Sequence, residues 1–158
     1  MKLREIVVEK AIITSLASTK RDEVLGELLD ALVAAEAIAA DQRTPYLKEA
    51  LKRERKGSTG FGHGVAVPHV KAAGLERLTV AIGISDAGVD FNALDKQPVH
   101  SIFLLISPEE RPEEHIDAME AIFGNLSKDQ FRRFLRQAGD VEEIITLLEE
   151  ADAGQSVG

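Results

Sequence analysis

Apolar residues along the chain fall into two rhythms. Val24, Leu25, Leu28, Leu29, Leu32 and Val33 recur at helical spacing, so one face of this segment turns inward. Thr19 with Asp22 three residues later reads as the start of that helix. A second helix starts at Thr44-Pro45, because proline is tolerated in a first turn, and it carries Tyr46, Leu47, Ala50 and Leu51 inward. Extended segments alternate with these. Val7 to Leu16 reads as a first strand or lead-in, Val65-Ala66-Val67 as a short strand ending at Pro68-His69, and Leu78 to Ile84 as another. Val99 to Ile106 is almost wholly apolar, the pattern of a strand buried on both faces. Three helices follow. Pro112 opens one, Ser127 with Gln130 begins the next, and Asp140 with Glu143 begins the last, which carries Val141, Ile144, Ile145, Leu147 and Leu148. Two helices, clustered strands and three further helices predict a sheet held between helical layers.

No repeat or long linker divides the 158 residues, so residues 1–152 read as one domain and 153–158 as a flexible tail. Cysteine is absent, which excludes a disulfide framework, a thiolate metal site and a cysteine nucleophile. The formal net charge of -8 argues against nucleic acid or an anionic membrane as the main partner. No apolar run reaches the roughly 20 residues that a spanning helix needs. Met1 to Glu5 does not open a secretory signal. A cytoplasmic protein without membrane insertion is expected.

One stretch breaks the acidic pattern. Lys48, Lys52, Arg53, Arg55 and Lys56 lead into glycines at 57, 60, 62 and 64. Cations at a helix C-terminus often only complement the helix dipole. Glycines between a helix and a strand are often only a loop. Here both run on to Pro68-His69. Glycine lets backbone N–H groups form an anion-binding nest, and Ser58 and Thr59 add hydroxyl donors. The run is not a nucleotide loop, since His63 follows Gly62 where a Walker motif needs lysine, and Val67 stands where a dinucleotide fingerprint needs glycine. Neutral imidazole is a good nucleophile near pH 7. Proline stiffens the mount of His69. A phosphate-accepting histidine is the chemistry that joins these features. His63, His69 and His115 could supply imidazoles to zinc, but no HExxH or acidic partner supports a metal site, and none is expected. His100, in an apolar strand, reads as structural, and Asp90 and Asp95 as turn formers.

Arg53-Glu54, Gly57-Ser58-Thr59-Gly60-Phe61-Gly62, and Gly64-Val65-Ala66-Val67-Pro68-His69 together resemble the signature of the type-2 IIA domains. These are the fructose, mannitol and nitrogen-regulatory IIA family of the phosphoenolpyruvate-dependent phosphotransferase system. Phe91 to Val99 resembles the family's loop and strand entry, and His115 matches its second active-site histidine. Phe61 replaces the usual isoleucine, and Ile116-Asp117 follows His115 where many members differ. The resemblance covers roughly residues 5 to 150 and is nearest to the stand-alone nitrogen-regulatory members. It implies a three-layer α/β/α sandwich with a mixed sheet of four to five strands. The glycine loop and His69 would sit at one sheet edge, and His115 would reach across from a helix. It implies that His69 is phosphorylated by phospho-HPr, with no cofactor. Arg53 would steady the phosphoryl oxygens, and His115 would hydrogen-bond nearby. Ser58, Thr59, Gly60, Gly62 and Gly64 would line the phosphate. The acceptor would be a IIB domain or a regulated protein. A regulatory binding module of the same fold is the alternative.

Overall fold

The apolar run predicted to be buried on both faces forms the sheet's central strand, β6 (Val99–Pro108). The computed structural model describes residues 1–154. Ile102 to Ile106 are all fully buried, each contributing roughly 1.5–3 kcal/mol relative to an exposed position. Their side chains alternate between two cores. Phe103 and Leu105 join one cluster, and Ile102, Leu104 and Ile106 join the other.

Among the described residues the sheet has six strands. β1 (Val7–Ile13) pairs in parallel with β5 (Thr79–Val89), and β5 runs antiparallel to β6. Beyond β6 lie β2 (Gly60–Gly62), β3 (Val65–Ala66) and β4 (His69–Ala72). β2 is antiparallel to β3, while β3 and β4 both run parallel to β6. The sheet is therefore mixed, as expected, but has more strands than the four or five expected. The glycine-rich run itself forms β2, and the segment after it is cut in two. The cut falls at Val67-Pro68, because proline has no N–H to give to a ladder. The Pro68 carbonyl still accepts from Leu105 N at 3.0 Å, so β4 continues the line of β3 along β6. His69 consequently begins a strand, whereas the sequence reading placed it at a strand's end.

Helices cover both faces. α2 (Arg21–Ala34) and α3 (Arg43–Lys56) supply Val24, Leu25, Leu28, Leu29, Leu32, Tyr46 and Ala50 to one core. α1 (Leu3–Ile6), α4 (Pro112–Leu126), α5 (Asp129–Gln137) and α6 (Val141–Asp152) pack the other. α6 is capped as expected, Asp140 Oδ1 accepting from Glu143 N at 2.9 Å. α2 and α5 each start one residue later than expected, with Lys20 and Lys128 rather than Thr19 and Ser127 at the cap position, and carry no side-chain cap. The sequence reading missed α1. Its free N-terminal amides at Leu3 and Arg4 are satisfied by the Asp152 carboxylate, at 2.7 and 2.8 Å, from the far end of the chain. Of the expected tail, Ala153 and Gly154 form a turn after α6, and residues 155–158 lie outside the described residues. No described helix is long and apolar enough to cross a membrane.

Candidate functional site

His69 opens β4 with its ring half-buried. Its Nδ1 lies 2.9 Å from the Val67 carbonyl. A carbonyl only accepts, so Nδ1 must carry the proton and the Nε2 lone pair is left free. Burial pulls the His69 pKa below its ordinary value of about 6.5. The Val67 hydrogen bond and Glu54 oppose that pull, and Arg53 and Lys71 add to it. The ring is therefore neutral at pH 7.

α4 brings the second histidine across. The rings of His69 and His115 lie 5.4 Å apart between centroids, with planes tilted by 59°. His115 Nδ1 sits 2.7 Å from the hydroxyl of Ser107, which is wholly buried near the end of β6. The pKa of His115 is pushed down to about 4, first by burial, then by His69 and Lys71.

α3 closes the other side. A cleft of about 370 Å³ is lined by Glu49, Lys52, Arg53 and Lys56 of α3, by His69 and Lys71 of β4, and by Glu109. Four cations against two carboxylates make it an electropositive spot on an acidic protein. One guanidinium nitrogen of Arg53 donates to the Gly57 carbonyl at 2.9 Å, so this side chain also caps its own helix. A larger groove of about 1040 Å³ lies between the start of β1, the α2–α3 connection and residues 73–79. No histidine lines it.

The glycine run is braced from inside. Glu54 is buried, and its carboxylate accepts from both Thr59 N, at 3.1 Å, and Thr59 Oγ1. The Thr59 carbonyl accepts from Val67 N at 3.2 Å, and the Val67 carbonyl holds His69. Glu54, Thr59, Val67 and His69 thus form one continuous chain of contacts. Ser58 Oγ donates to the Phe91 carbonyl at 2.6 Å and accepts from Gly60 N at 3.0 Å. The hydroxyls of Ser58 and Thr59 are therefore engaged within the loop, where the sequence suggested donors standing ready for phosphate. Gly60 is needed for close approach, since a Cβ there would sit 3.0 Å from that of Ala93. Gly62 and Gly64 take left-handed φ values of 113° and 75° in the tight turn to β3.

The structure thus gathers His69, His115 and Arg53, with Thr59 tied to His69 through Val67. Gly62 and Gly64 lie instead in the β2–β3 turn, against Asp95 and against His100, level with the start of β6 rather than with His69. The other histidines are separated from His69 and His115. His63 is exposed at the β2–β3 turn, beside Asp86 and Arg132, Arg133 and Arg136. The His100 Nδ1 donates to the Ser85 carbonyl at 2.8 Å, the structural role expected of it. Among the described residues no group of three or more His, Cys, Asp or Glu side chains could hold a metal ion. Sequence reasoning gave no role to Glu54, Lys71 or Ser107. The available signals were slight: one acid within a basic helix end, and one hydroxyl near the end of an apolar strand.

Residues 5–151 match the family described as "Phosphoenolpyruvate-dependent sugar phosphotransferase system, EIIA 2". A nitrogen regulatory protein from Pseudomonas aeruginosa is 32% identical over 98% of this chain and 99% of its own length. The fructose-specific EIIABC component of Bacillus subtilis is 30% identical over 96% of this chain, which spans only 24% of that larger protein. Among solved structures, the nitrogen regulatory protein IIA-Ntr from Neisseria meningitidis superposes with a TM-score of 0.83 at 28% identity. That likeness covers 92% of this chain and 98% of the other.

Proposed function

The chain belongs to the EIIA type-2 family of the phosphoenolpyruvate-dependent sugar phosphotransferase system, and on that premise we propose that Nε2 of His69 accepts and releases a phosphoryl group. The observation that carries this reading is the 2.9 Å contact between His69 Nδ1 and the Val67 carbonyl, which leaves Nε2 as the attacking nitrogen. The donor would be a phosphohistidine carrier of the HPr type. The Nε2 lone pair attacks phosphorus and forms the new N–P bond. The donor's N–P bond breaks, and its electron pair returns to the donor nitrogen. The proton on His69 Nδ1 stays in place throughout, held by Val67.

Arg53 is the residue best suited to the equatorial oxygens, because a guanidinium offers two aligned donors. Lys52, Lys56 and Lys71 add positive potential in the same cleft. Ser58, Thr59 and Gly60 would hold the loop that leads to Val67 and His69, Gly62 and Gly64 would serve the turn before β3 rather than the phosphate, and His115 would donate to the phosphoryl group. The exchange would take place in the cytoplasm, as one step of a relay rather than a complete turnover.

Two uses of that phosphate are open to one site. The fructose-specific relative carries the letters A, B and C in its name, and a IIB-type acceptor is the corresponding partner. The end-to-end match to a nitrogen regulatory protein favours a switch, in which the phosphate controls docking to another protein. A phosphoryl group adds nearly two negative charges and strong acceptors to the mouth of the cleft, enough to cancel its excess of positive charge.

The test is incubation with phosphoenolpyruvate, enzyme I and HPr, followed by intact mass measurement. The expected product carries one acid-labile, base-stable phosphate that maps to His69 and is absent from His69→Ala. A phosphate on another residue, or none when the upstream proteins are active, overturns the reading. Loss of the phosphate to an added IIB domain marks a carrier. Retention of the phosphate, with altered partner binding, marks a switch.

A further inference from the structure

Ser107 stands out in β6 because it is polar, wholly buried, and has one partner. The strand around it reads Ile102-Phe103-Leu104-Leu105-Ile106. Its hydroxyl meets His115 Nδ1 at 2.7 Å, and no second partner lies among the described residues. Ser107 also pairs in register with Lys71, two residues beyond His69, so the strand that carries the nucleophile and the hydroxyl share one ladder.

The direction of this hydrogen bond has two possibilities. If Nδ1–H donates to Ser107, the hydroxyl proton of Ser107 is left buried without an acceptor. If Ser107 donates to Nδ1, only serine lone pairs go unused. An unmade buried donor costs more than an under-used acceptor, so the second arrangement wins. A neutral imidazole has one N–H, and with Nδ1 accepting, that N–H must lie on Nε2. The low pKa of His115 keeps the ring neutral at pH 7, so the tautomer alone decides what it offers. The Nε2–H form presents a donor, whereas the other form would turn a lone pair toward an anionic phosphoryl group.

We propose that Ser107 is a positioning residue that locks His115 in its Nε2–H tautomer, so that His115 presents a hydrogen-bond donor to the phosphoryl group on His69. The proposal rests on the reading of His69 as the phosphoryl acceptor, but the tautomer itself does not.

Imidazole 15N resonances of the unphosphorylated, labelled protein at pH 7 test the tautomer directly. In the wild type His115 should show a pyridine-type Nδ1 and a pyrrole-type Nε2. Ser107→Ala should average the two nitrogens toward a mixture, and Ser107→Thr, which keeps the hydroxyl, should restore the wild-type pattern. A pyrrole-type Nδ1 in the wild type, or no change in a folded Ser107→Ala protein, overturns the assignment. Phosphoryl transfer through Ser107→Ala should slow about tenfold, the size expected for one charge-assisted hydrogen bond, with recovery in Ser107→Thr. Unchanged transfer with an altered tautomer overturns the donor role. If the wild type takes no phosphate at all, the function of His69 fails, while the resonances still decide what Ser107 does.

Discussion

His69 and His115 face each other at 5.4 Å, yet each ring commits its Nδ1 elsewhere, one to the Val67 carbonyl and the other to the Ser107 hydroxyl. Both rings therefore keep Nε2 uncommitted, which is what the proposed roles of nucleophile and donor require. Burial favours the neutral form of both rings, and His69 and Lys71 further disfavour a proton on His115.

A pH dependence follows from that neutrality. Phosphoryl acceptance needs His69 unprotonated, and its pKa lies below the ordinary value of about 6.5. The rate should hold as pH falls through 6.5 and drop only below it. An acid limb at or above that value, with the donor's own titration subtracted, would count against the buried, neutral nucleophile.

Arg53 acts on His69 in two separable ways. Its charge helps to depress the His69 pKa, and its guanidinium would hold the phosphoryl oxygens. Arg53→Ala should raise the His69 pKa and slow transfer by about 10²- to 10³-fold, the usual cost of removing one donor to developing charge. The loss of its Gly57 contact should cost under about 1 kcal/mol, because that bond is exposed. Arg53→Lys should restore the pKa but only part of the rate, since lysine lacks the two-pronged geometry. Equal rates for arginine and lysine would reduce the role to bare charge.

His115 should make the fold sensitive to acid. Its folded pKa of about 4 lies below the ordinary value, so the unfolded chain binds the extra proton between those values. Stability then falls as pH drops from about 6.5 toward 4, and rises with pH over the same window. His115→Gln should flatten that part of the curve in chemical denaturation at a series of pH values. Parallel curves for the two proteins would mean that His115 is not desolvated as described.

The parts of this picture that were legible in the sequence are those written locally. The leucines of α2 and the run of β6 announce themselves by spacing, and His69 by the motif that ends in it. What escaped depends on residues distant in sequence. β4 exists because His69 to Ala72 pair with Leu105 to Pro108, and nothing in four residues states that register. α1 is held by Asp152, at the far end of the chain. Glu54 looked like one more charge on a basic helix end until the fold buried it against Thr59. Ser107 acquired a role only when α4 delivered His115 to it.

Gly60 can be tested by its neighbour. A methyl group added there would lie 3.0 Å from Ala93 Cβ and 3.2 Å from Ala93 Cα. Gly60→Ala should therefore destabilise by about 1–3 kcal/mol through overpacking and shift the loop that frames His69. Adding Ala93→Gly should recover part of that loss, since it removes the nearest atom. A double-mutant cycle with no coupling would show that the loop relaxes elsewhere.

The chain of contacts from Glu54 to His69 makes the sharpest separation of charge from geometry. Glu54→Gln keeps an acceptor for Thr59 but removes a charge that raises the His69 pKa, so that pKa should fall further. Thr59→Val keeps the charge and removes the hydroxyl, so the His69 pKa should stay near the wild-type value. Both changes loosen the Thr59–Val67 link that aims the ring, so both should slow phosphoryl transfer by about tenfold, near 1.4 kcal/mol. Each should also lower stability by about 1–3 kcal/mol, because a buried hydrogen-bonding group loses its best partner. Ring titration by NMR and transfer rates measured on the same folded samples give the comparison. If the two variants slow transfer alike while only Glu54→Gln moves the titration, the carboxylate acts on rate through the geometry of the loop. If only Glu54→Gln slows transfer, its charge is what matters and the route through Thr59 is wrong. Wild-type rates in both would leave Glu54 as a structural residue with no part in presenting His69.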